Sequence, residues 1–322
     1  MKSPDFWQDR GSPLGYLLAP LGWAYAGVTA WRLAHGNPWK APVPVICVGN
    51  LTAGGAGKTP IVRDLTRRLR AAGCNAGILS RGYGGTAQGP LKVDPARHNT
   101  ALVGDEPLLL AQDAPCWVAK DRGAGAKAMV ADGIDAIVMD DGLQNPGLIQ
   151  DLAIIVADGA TGFGNGRAIP AGPLRESVEA GIGRAAALVV SGRDQGGLIQ
   201  RFSGRIKMLQ TSVTIREPLP STPLLAFAGI GRPEKFRATL AEAGANIAAF
   251  QAFADHHAYT SAELRALADR AGELGAQLVT TEKDWVRLNA EWRGCIKPIA
   301  IDVVWNDEAA IAALLAGVSG RG

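Results

Sequence analysis

The chain has 322 residues, 47% of them hydrophobic and 20% charged, with a formal charge of +3. These totals fit about two globular domains with full cores and exclude a disordered chain. No dense Lys/Arg run accompanies the small charge, so nucleic acid is not expected as a partner. Cys47, Cys74, Cys116 and Cys295 lack C-x-x-C spacing, which argues for reduced cytosolic thiols rather than a zinc site or a disulfide framework.

Residues 1–40 stand apart. Between Arg10 and Arg32 lies the uncharged stretch "GSPLGYLLAPLGWAYAGVTAW", and Trp7, Trp23, Trp31 and Trp39 supply half of the chain's eight tryptophans. Tryptophan and tyrosine beside apolar sequence suit a membrane interface. Lys2, Arg10, Arg32 and Lys40 are placed to meet anionic headgroups. The stretch is borderline for the roughly 20 residues of a spanning helix, and Pro20 and four glycines weaken a straight span. An apolar helical, membrane-associating segment is expected, lying on the bilayer or spanning it. A helical pair packed on the protein's own body is the competing reading.

Strands follow at 43–49, 75–80, 115–119, 135–140, 152–158 and 186–192, mostly as unbroken apolar runs, with helical stretches such as 60–73 between several of them. Such runs are expected of strands buried on both faces. Their alternation with helices predicts an α/β fold with a doubly wound, mainly parallel sheet over 41–215. "REPLPSTP" (216–223) marks a boundary, and a smaller α/β domain is expected over 216–322. Its strands are read in "LLAFAGI", "NIAAFQAF", "QLVTT" and "IKPIAIDVV".

After the first strand comes "GNLTAGGAGKTP" (49–60). The pattern G-x-x-x-x-G-K-[ST] wants glycine at Thr52, yet the strand–loop–helix context is that of a phosphate cradle. Thr52, Ala53, Gly54, Gly55, Ala56 and Gly57 would turn backbone N–H groups toward phosphate oxygens, aided by the helix N-terminus. Lys58 would reach the β- and γ-phosphates and the Thr59 hydroxyl would ligate Mg²⁺. "DAIVMDD" ends a strand on Asp140 and Asp141, the carboxylates such a metal needs, and spacing does not say which of the two touches it. "TEKD" (281–284) lacks the spacing of the guanine signature N-K-x-D, so ATP is favoured.

For an acceptor, Asp255, His256 and His257 in "FADHHAY" and Asp105 and Glu106 in "VGDEP" are the chemistry-bearing clusters. Each also suits simple helix capping. Without more, the chain reads equally as a nucleotide-driven ATPase or GTPase.

In order along the chain, "VGNLTAGGAGKTP", "SRGYGG", "VGDEP", "DDGLQ", "GNGRAIPAGPLRE" and "FADHHAY" resemble the tetraacyldisaccharide 4'-kinase family. The resemblance implies a kinase at the cytoplasmic face of the inner membrane. It would use ATP and Mg²⁺ to phosphorylate the 4'-hydroxyl of a tetraacyldisaccharide 1-phosphate, a lipid A precursor, with no protein partner evident. It further implies Asp105 and His256 as the base system, Asp255 orienting His256, His257 as second choice, and catalysis by Lys58. Arg81, Tyr83, Gln144, Asn165, Arg175 and Glu176 would line the substrate site. The chain departs from the family pattern at Asn145, usually histidine, and at Ser177, usually proline.

Overall fold

The apolar runs of the first two thirds of the chain become neighbouring strands of one sheet. The computed structural model describes residues 4–319, so Lys2 and residues 320–322 lie outside the described residues. The chain starts with two helices, α1 (Pro13–Leu17), which Ser12 caps by accepting from Gly15 N, and α2 (Ala19–Ala34). On α2 only the stripe Ala19, Gly22, Ala26, Thr29 and Leu33 turns toward the body. Glycine is required at 22 because a Cβ there would lie 2.7 Å from the Ala168 carbonyl oxygen. Leu21, Trp23, Tyr25, Val28 and Trp31 remain between 40% and 73% exposed. No described helix is long and apolar enough to cross a membrane.

The large unit follows as β1 (Val45–Gly49), α3 (Lys58–Ala71), β2 (Ala76–Ser80), β3 (Leu91–Lys92), α4 (Thr100–Val103), α5 (Asp105–Leu110), β4 (Cys116–Val118), α6 (Arg122–Ala131), β5 (Ala136–Asp140), β6 (Leu152–Asp158), α7 (Val178–Arg184), β7 (Ala187–Ser191), α8 (Leu198–Phe202) and β8 (Lys207–Ile215). The smaller unit holds β9 (Leu224–Ala228), α9 (Pro233–Glu242), β10 (Ile247–Ala252), α10 (Ser261–Glu273), β11 (Gln277–Thr281), α11 (Glu282–Trp285), α12 (Ala290–Arg293) and β12 (Lys297–Ile299). The chain then closes with β13 (Ile301–Trp305) and α13 (Glu308–Ser319).

Nine strands form the large sheet in the order β13-β8-β7-β6-β1-β5-β2-β4-β3, parallel except at its two edges. Residues alternate between two cores. Ile46 and Val48 of β1 face α3 (Ile61, Leu65), α5 and α13, while Val45 and Cys47 face α6 (Met129), α7 (Ile182) and α8 (Phe202). Helices on both faces explain why β1, β5, β6 and β7 read as continuous apolar runs. The four cysteines are free. The smaller sheet, β10-β9-β11-β12, is wholly parallel and lies between α10 on one face and α9 on the other.

Two expectations are corrected. "IKPIAIDVV" is not one strand: it breaks at Ala300 into β12 of the small sheet and β13 of the large one. The second unit therefore does not run to the end of the chain. β13 pairs antiparallel with β8 (Ile301↔Ile215 to Trp305↔Thr211), and Ile311 and Leu315 of α13 pack in the large unit's core. Local pattern cannot reveal this, because the pairing partner lies about 90 residues upstream (Ile301↔Ile215).

Candidate active site

The phosphate loop joins β1 to α3, and its backbone has the form a cradle needs. Gly54 and Gly57 take φ of 113° and 82°, values open to glycine at little cost. Thr52 needs no such freedom. It forms an antiparallel bridge with Leu174, while Ala53 N donates to Pro173 O at 2.7 Å and Arg175 N to Leu51 O at 2.7 Å. The 164–176 stretch thus buttresses the loop where the generic pattern has a glycine.

Lys58 opens α3. Its Nζ donates to Asn50 Oδ1 at 3.1 Å and lies 3.6 Å from Asp141 Oδ1. Asn50 is fully buried and also donates to Gly54 O at 3.2 Å, so one side chain ties the lysine to the loop. Asp141 has a left-handed φ of 52°, an unusual backbone state for a residue other than glycine. Arg175 Nη1 bonds both of its oxygens at 2.9 Å. Burial pushes the Asp141 carboxyl up, but Lys58 and Arg175 outweigh it and hold the group below its ordinary range.

Asp140, paired with Val48 across β5 and β1, is buried and accepts from Ser80 Oγ at 3.3 Å. Burial and the nearby Glu106 carboxylate push its carboxyl well above the usual range. Lys58 and Arg122 only partly offset these effects, and Thr59 follows Lys58 on the same helix start. The described residues hold no cluster of three or more His, Cys, Asp or Glu fit for a metal. A one-carboxylate site fits Mg²⁺, which commonly completes its octahedron with substrate phosphates and water.

The second half of the site is assembled from both units. Asp105 begins α5 after Gly104, whose φ of 87° and tight approach to Tyr83 O leave no space for a Cβ. The carboxylate caps no helix. Its Oδ2 accepts from His256 Nδ1 at 3.0 Å, from Arg287 Nε at 2.9 Å and from Arg287 Nη2. Burial raises the Asp105 carboxyl, but the His256 hydrogen bond and the Lys283 and Arg287 charges hold it far below the ordinary range. His256 itself sits at φ 58° in the loop after β10. The neighbouring Glu106 bonds Lys283 Nζ at 3.0 Å, so α11 answers both acidic residues of "VGDEP".

Asp255 does not orient His256 through a hydrogen bond. Its Oδ1 lies 3.8 Å from His256 Nε2 and, though buried, has no hydrogen-bond partner. Asp105 fixes the ring through the other nitrogen instead. His257 is held by Glu263 at 3.1 Å and stacks on Phe253 beside the capping box of α10. Its neighbours make it a structural residue.

The remaining expected residues separate. Tyr83 is 71% exposed with its ring 6.3 Å from that of His256, and Arg81 is exposed in the same loop. Gln144 donates to Asn50 O (3.2 Å) and Glu176 Oε1 (2.8 Å), and Arg184 bonds Glu176 from behind, which supports the phosphate loop from beneath. Asn165 is buried, donates to Phe6 O and Ala171 O, and accepts from Arg167 N, which ties the start of the chain to the 164–176 stretch. Asn145 Oδ1 accepts from Gly147 N and Ser177 Oγ caps α7, so both departures from the family pattern have local backbone roles. Sequence reasoning missed Asn50, Arg287, Lys283 and Arg122, a buried arginine that feels the Asp140 and Asp141 charges. The only sequence signal near Lys283 is "TEKD", whose lysine precedes the aspartate directly.

Comparison with known proteins identifies the family. The family profile for tetraacyldisaccharide-1-P 4'-kinase matches residues 14–319. A tetraacyldisaccharide 4'-kinase of Rhodospirillum centenum is 51% identical over 98% of this chain and 96% of its own length. One of Gluconacetobacter diazotrophicus is 49% identical over 98% and 97%. The crystal structure of the Aquifex aeolicus LpxK in complex with ATP superposes with a TM-score of 0.78 at 26% identity, covering 95% of this chain and 99% of that one. Over nearly its whole length, the chain belongs to the tetraacyldisaccharide-1-P 4'-kinase family.

Proposed function

We propose that the chain transfers the γ-phosphate of ATP to the 4'-hydroxyl of a tetraacylated disaccharide 1-phosphate, giving a lipid IVA-type product in lipid A biosynthesis. The observation that carries this is the Asp105–His256 pair, made from both units and placed beside Glu106, whose charge is felt by Asp140 at the end of β5.

Phosphoryl transfer is governed by positioning and charge stabilisation. The N–H groups of residues 52–57 and the α3 N-terminus would hold the phosphates, and Lys58 would balance their charge. Asp141 is already committed to Arg175 and Lys58, which leaves Asp140 and Thr59 as the residues that would hold Mg²⁺. That ion, when bound, supplies neutralisation of charge across the β- and γ-phosphates. Asp105, backed by His256, would accept the hydrogen bond of the acceptor hydroxyl and take its proton as the O–P bond forms. Arg81 and Tyr83 are placed to meet the sugar.

A four-chain lipid leaves a bilayer at a cost of about 0.8 kcal/mol per CH₂, so the enzyme must reach the headgroup at the surface. The outward face of α1 and α2 supports an interfacial location, which for an ATP-using enzyme means the cytoplasmic face of the inner membrane.

Incubation with γ-labelled ATP, Mg²⁺ and the disaccharide lipid in detergent micelles tests the activity. Label on the lipid is expected, and acceptor-independent phosphate release alone would overturn it. Lys58→Ala and Asp105→Ala should both abolish transfer, but only Lys58→Ala should greatly weaken ATP binding. Equal loss of ATP affinity in both would refute the acceptor-side role of Asp105.

A further inference from the structure

Arg287, just behind α11, is held more firmly than any other cation near the candidate base. Its side chain is 6% exposed. Nη1 donates to Gly229 O at 2.7 Å and to Asp284 Oδ1 at 2.8 Å, while Nε and Nη2 both reach Asp105 Oδ2. Asp284 is fully buried and fixed in turn by Gly229 N (3.0 Å), Tyr259 Oη (2.8 Å) and Thr281 Oγ1 (2.6 Å). The guanidinium is therefore clamped from behind before it meets Asp105. On the other side His256 Nδ1 reaches the same Oδ2 at 3.0 Å, with Arg287 Nη2 3.4 Å from that nitrogen. All three donors crowd onto one oxygen, and Oδ1 receives none of them.

We propose that Arg287 is a positioning residue for phosphoryl transfer: by sharing Asp105 Oδ2 with His256, it fixes the rotation of the carboxylate and presents Oδ1 to the acceptor hydroxyl. This inference rests on the kinase reading above. In the step itself the acceptor oxygen bonds phosphorus and the bond from phosphorus to the β,γ-bridging oxygen breaks. The bridging oxygen leaves with its electron pair on ADP, and the acceptor proton passes to Oδ1. The transition state is loose and the proton moves late, so aim matters more than base strength. A planar guanidinium that donates to Oδ2 from two nitrogens and is itself clamped by Asp284 and Gly229 O can set that aim, whereas a single ammonium cannot. Arg287 and His256 come from the small unit and Asp105 from the large one, so the aim is set only when the units meet.

The charged groups facing Asp105 are His256 and Asp255 from the loop after β10, Lys283, Asp284 and Arg287 from α11 and the turn behind it, and Glu106 on its own helix. Removing Arg287 removes one of the influences that hold the Asp105 carboxyl low. The acid limb of the kcat profile should then move to higher pH.

The test compares Arg287→Met and Arg287→Lys, with ATP, Mg²⁺ and the micellar disaccharide lipid. Arg287→Met should lower kcat about 100-fold, as expected for a misaimed reacting group, leave the KM for ATP within about twofold, and shift the acid limb upward. Arg287→Lys keeps the charge and should restore the acid limb but only part of kcat. In an Asp105→Asn background, Arg287→Lys should cost nothing further, since residues acting as one unit are not additive. Carbon-13 NMR titration of the Asp105 carboxyl reads the same contact without activity: its midpoint should rise in Arg287→Met. If wild-type enzyme fails to label the lipid while that midpoint moves, the kinase reading fails and the hold of Arg287 on Asp105 stands. Unchanged kcat and acid limb in Arg287→Lys and Arg287→Met would overturn the proposal. So would losses that add to those of Asp105→Asn, or a lowered melting temperature as the sole effect.

Discussion

The exposed face of α2 makes a quantitative prediction about bilayer attachment. Leu21, Trp23 and Trp31 are 59%, 73% and 62% exposed, so replacing all three by serine removes apolar surface without opening the core. Burying one large apolar side chain is worth about 1.5–3 kcal/mol. Roughly two thirds of each is still available to lipid, which gives about 1–2 kcal/mol per residue and about 3–6 kcal/mol in total. At about 1.4 kcal/mol per tenfold, partition onto vesicles should fall by roughly 10²- to 10⁴-fold. Folding stability should change by no more than about 0.5 kcal/mol per site, as for ordinary surface substitutions. Sedimentation with vesicles of phosphatidylethanolamine and phosphatidylglycerol measures the partition, at low and high salt to remove the share due to Arg10, Arg32 and Lys40. Unchanged binding would refute the interfacial role of α2. Binding lost together with a markedly lower melting temperature would show instead that these side chains serve the fold.

Other expectations follow from particular contacts. Arg63, 3% exposed on α3, is paired with Asp113 and bidentate with Glu282. Arg63→Met strands those carboxylates and should cost about 3–5 kcal/mol in denaturant unfolding; a loss under 1 kcal/mol would show that water relieves them. Asp158 at the end of β6 is bonded by Arg232 and Lys235, whose charges outweigh burial and hold its carboxyl below the ordinary range. Its stabilisation is complete above the unfolded value of about 4 and is lost as pH falls toward the folded one. Asp158→Asn should therefore flatten the acid limb of the stability profile, and an identical limb would refute the linkage. Thr52→Gly restores the generic loop pattern but should lower stability by about 0.5–1 kcal/mol through chain entropy, with no gain in ATP affinity by calorimetry.

Strands β1, β2, β5, β6 and β7 were legible because both of their faces are buried, which leaves an unbroken apolar run. β8 was not: its inward Leu209 and Thr211 alternate with more exposed Gln210 and Ser212, and its continuation into "REPLPSTP" reads as linker. The phosphate loop was legible because its chemistry is local, with glycines, Lys58 and Thr59 within a few residues. Asp105 and His256 are 151 residues apart, and only the order of motifs suggested that they meet. The family resemblance names Asp255 beside His256 but cannot say which ring nitrogen a carboxylate reaches: Asp105 bonds Nδ1, and Asp255 lies 3.8 Å from Nε2. Arg287 carries no local pattern, since its partners come from Gly229, Asp284 and α5.

The return of β13 to the large sheet has a mechanical consequence. The chain leaves for the small unit after Ile215 and comes back at Ile301, and these two residues are directly paired across β8 and β13. The small unit is thus tethered to the edge of the large sheet at two adjacent points rather than one. Two neighbouring tethers limit its rotation about the connection more than a single one would. That double attachment helps keep His256 and Arg287 in register with Asp105 across the two units.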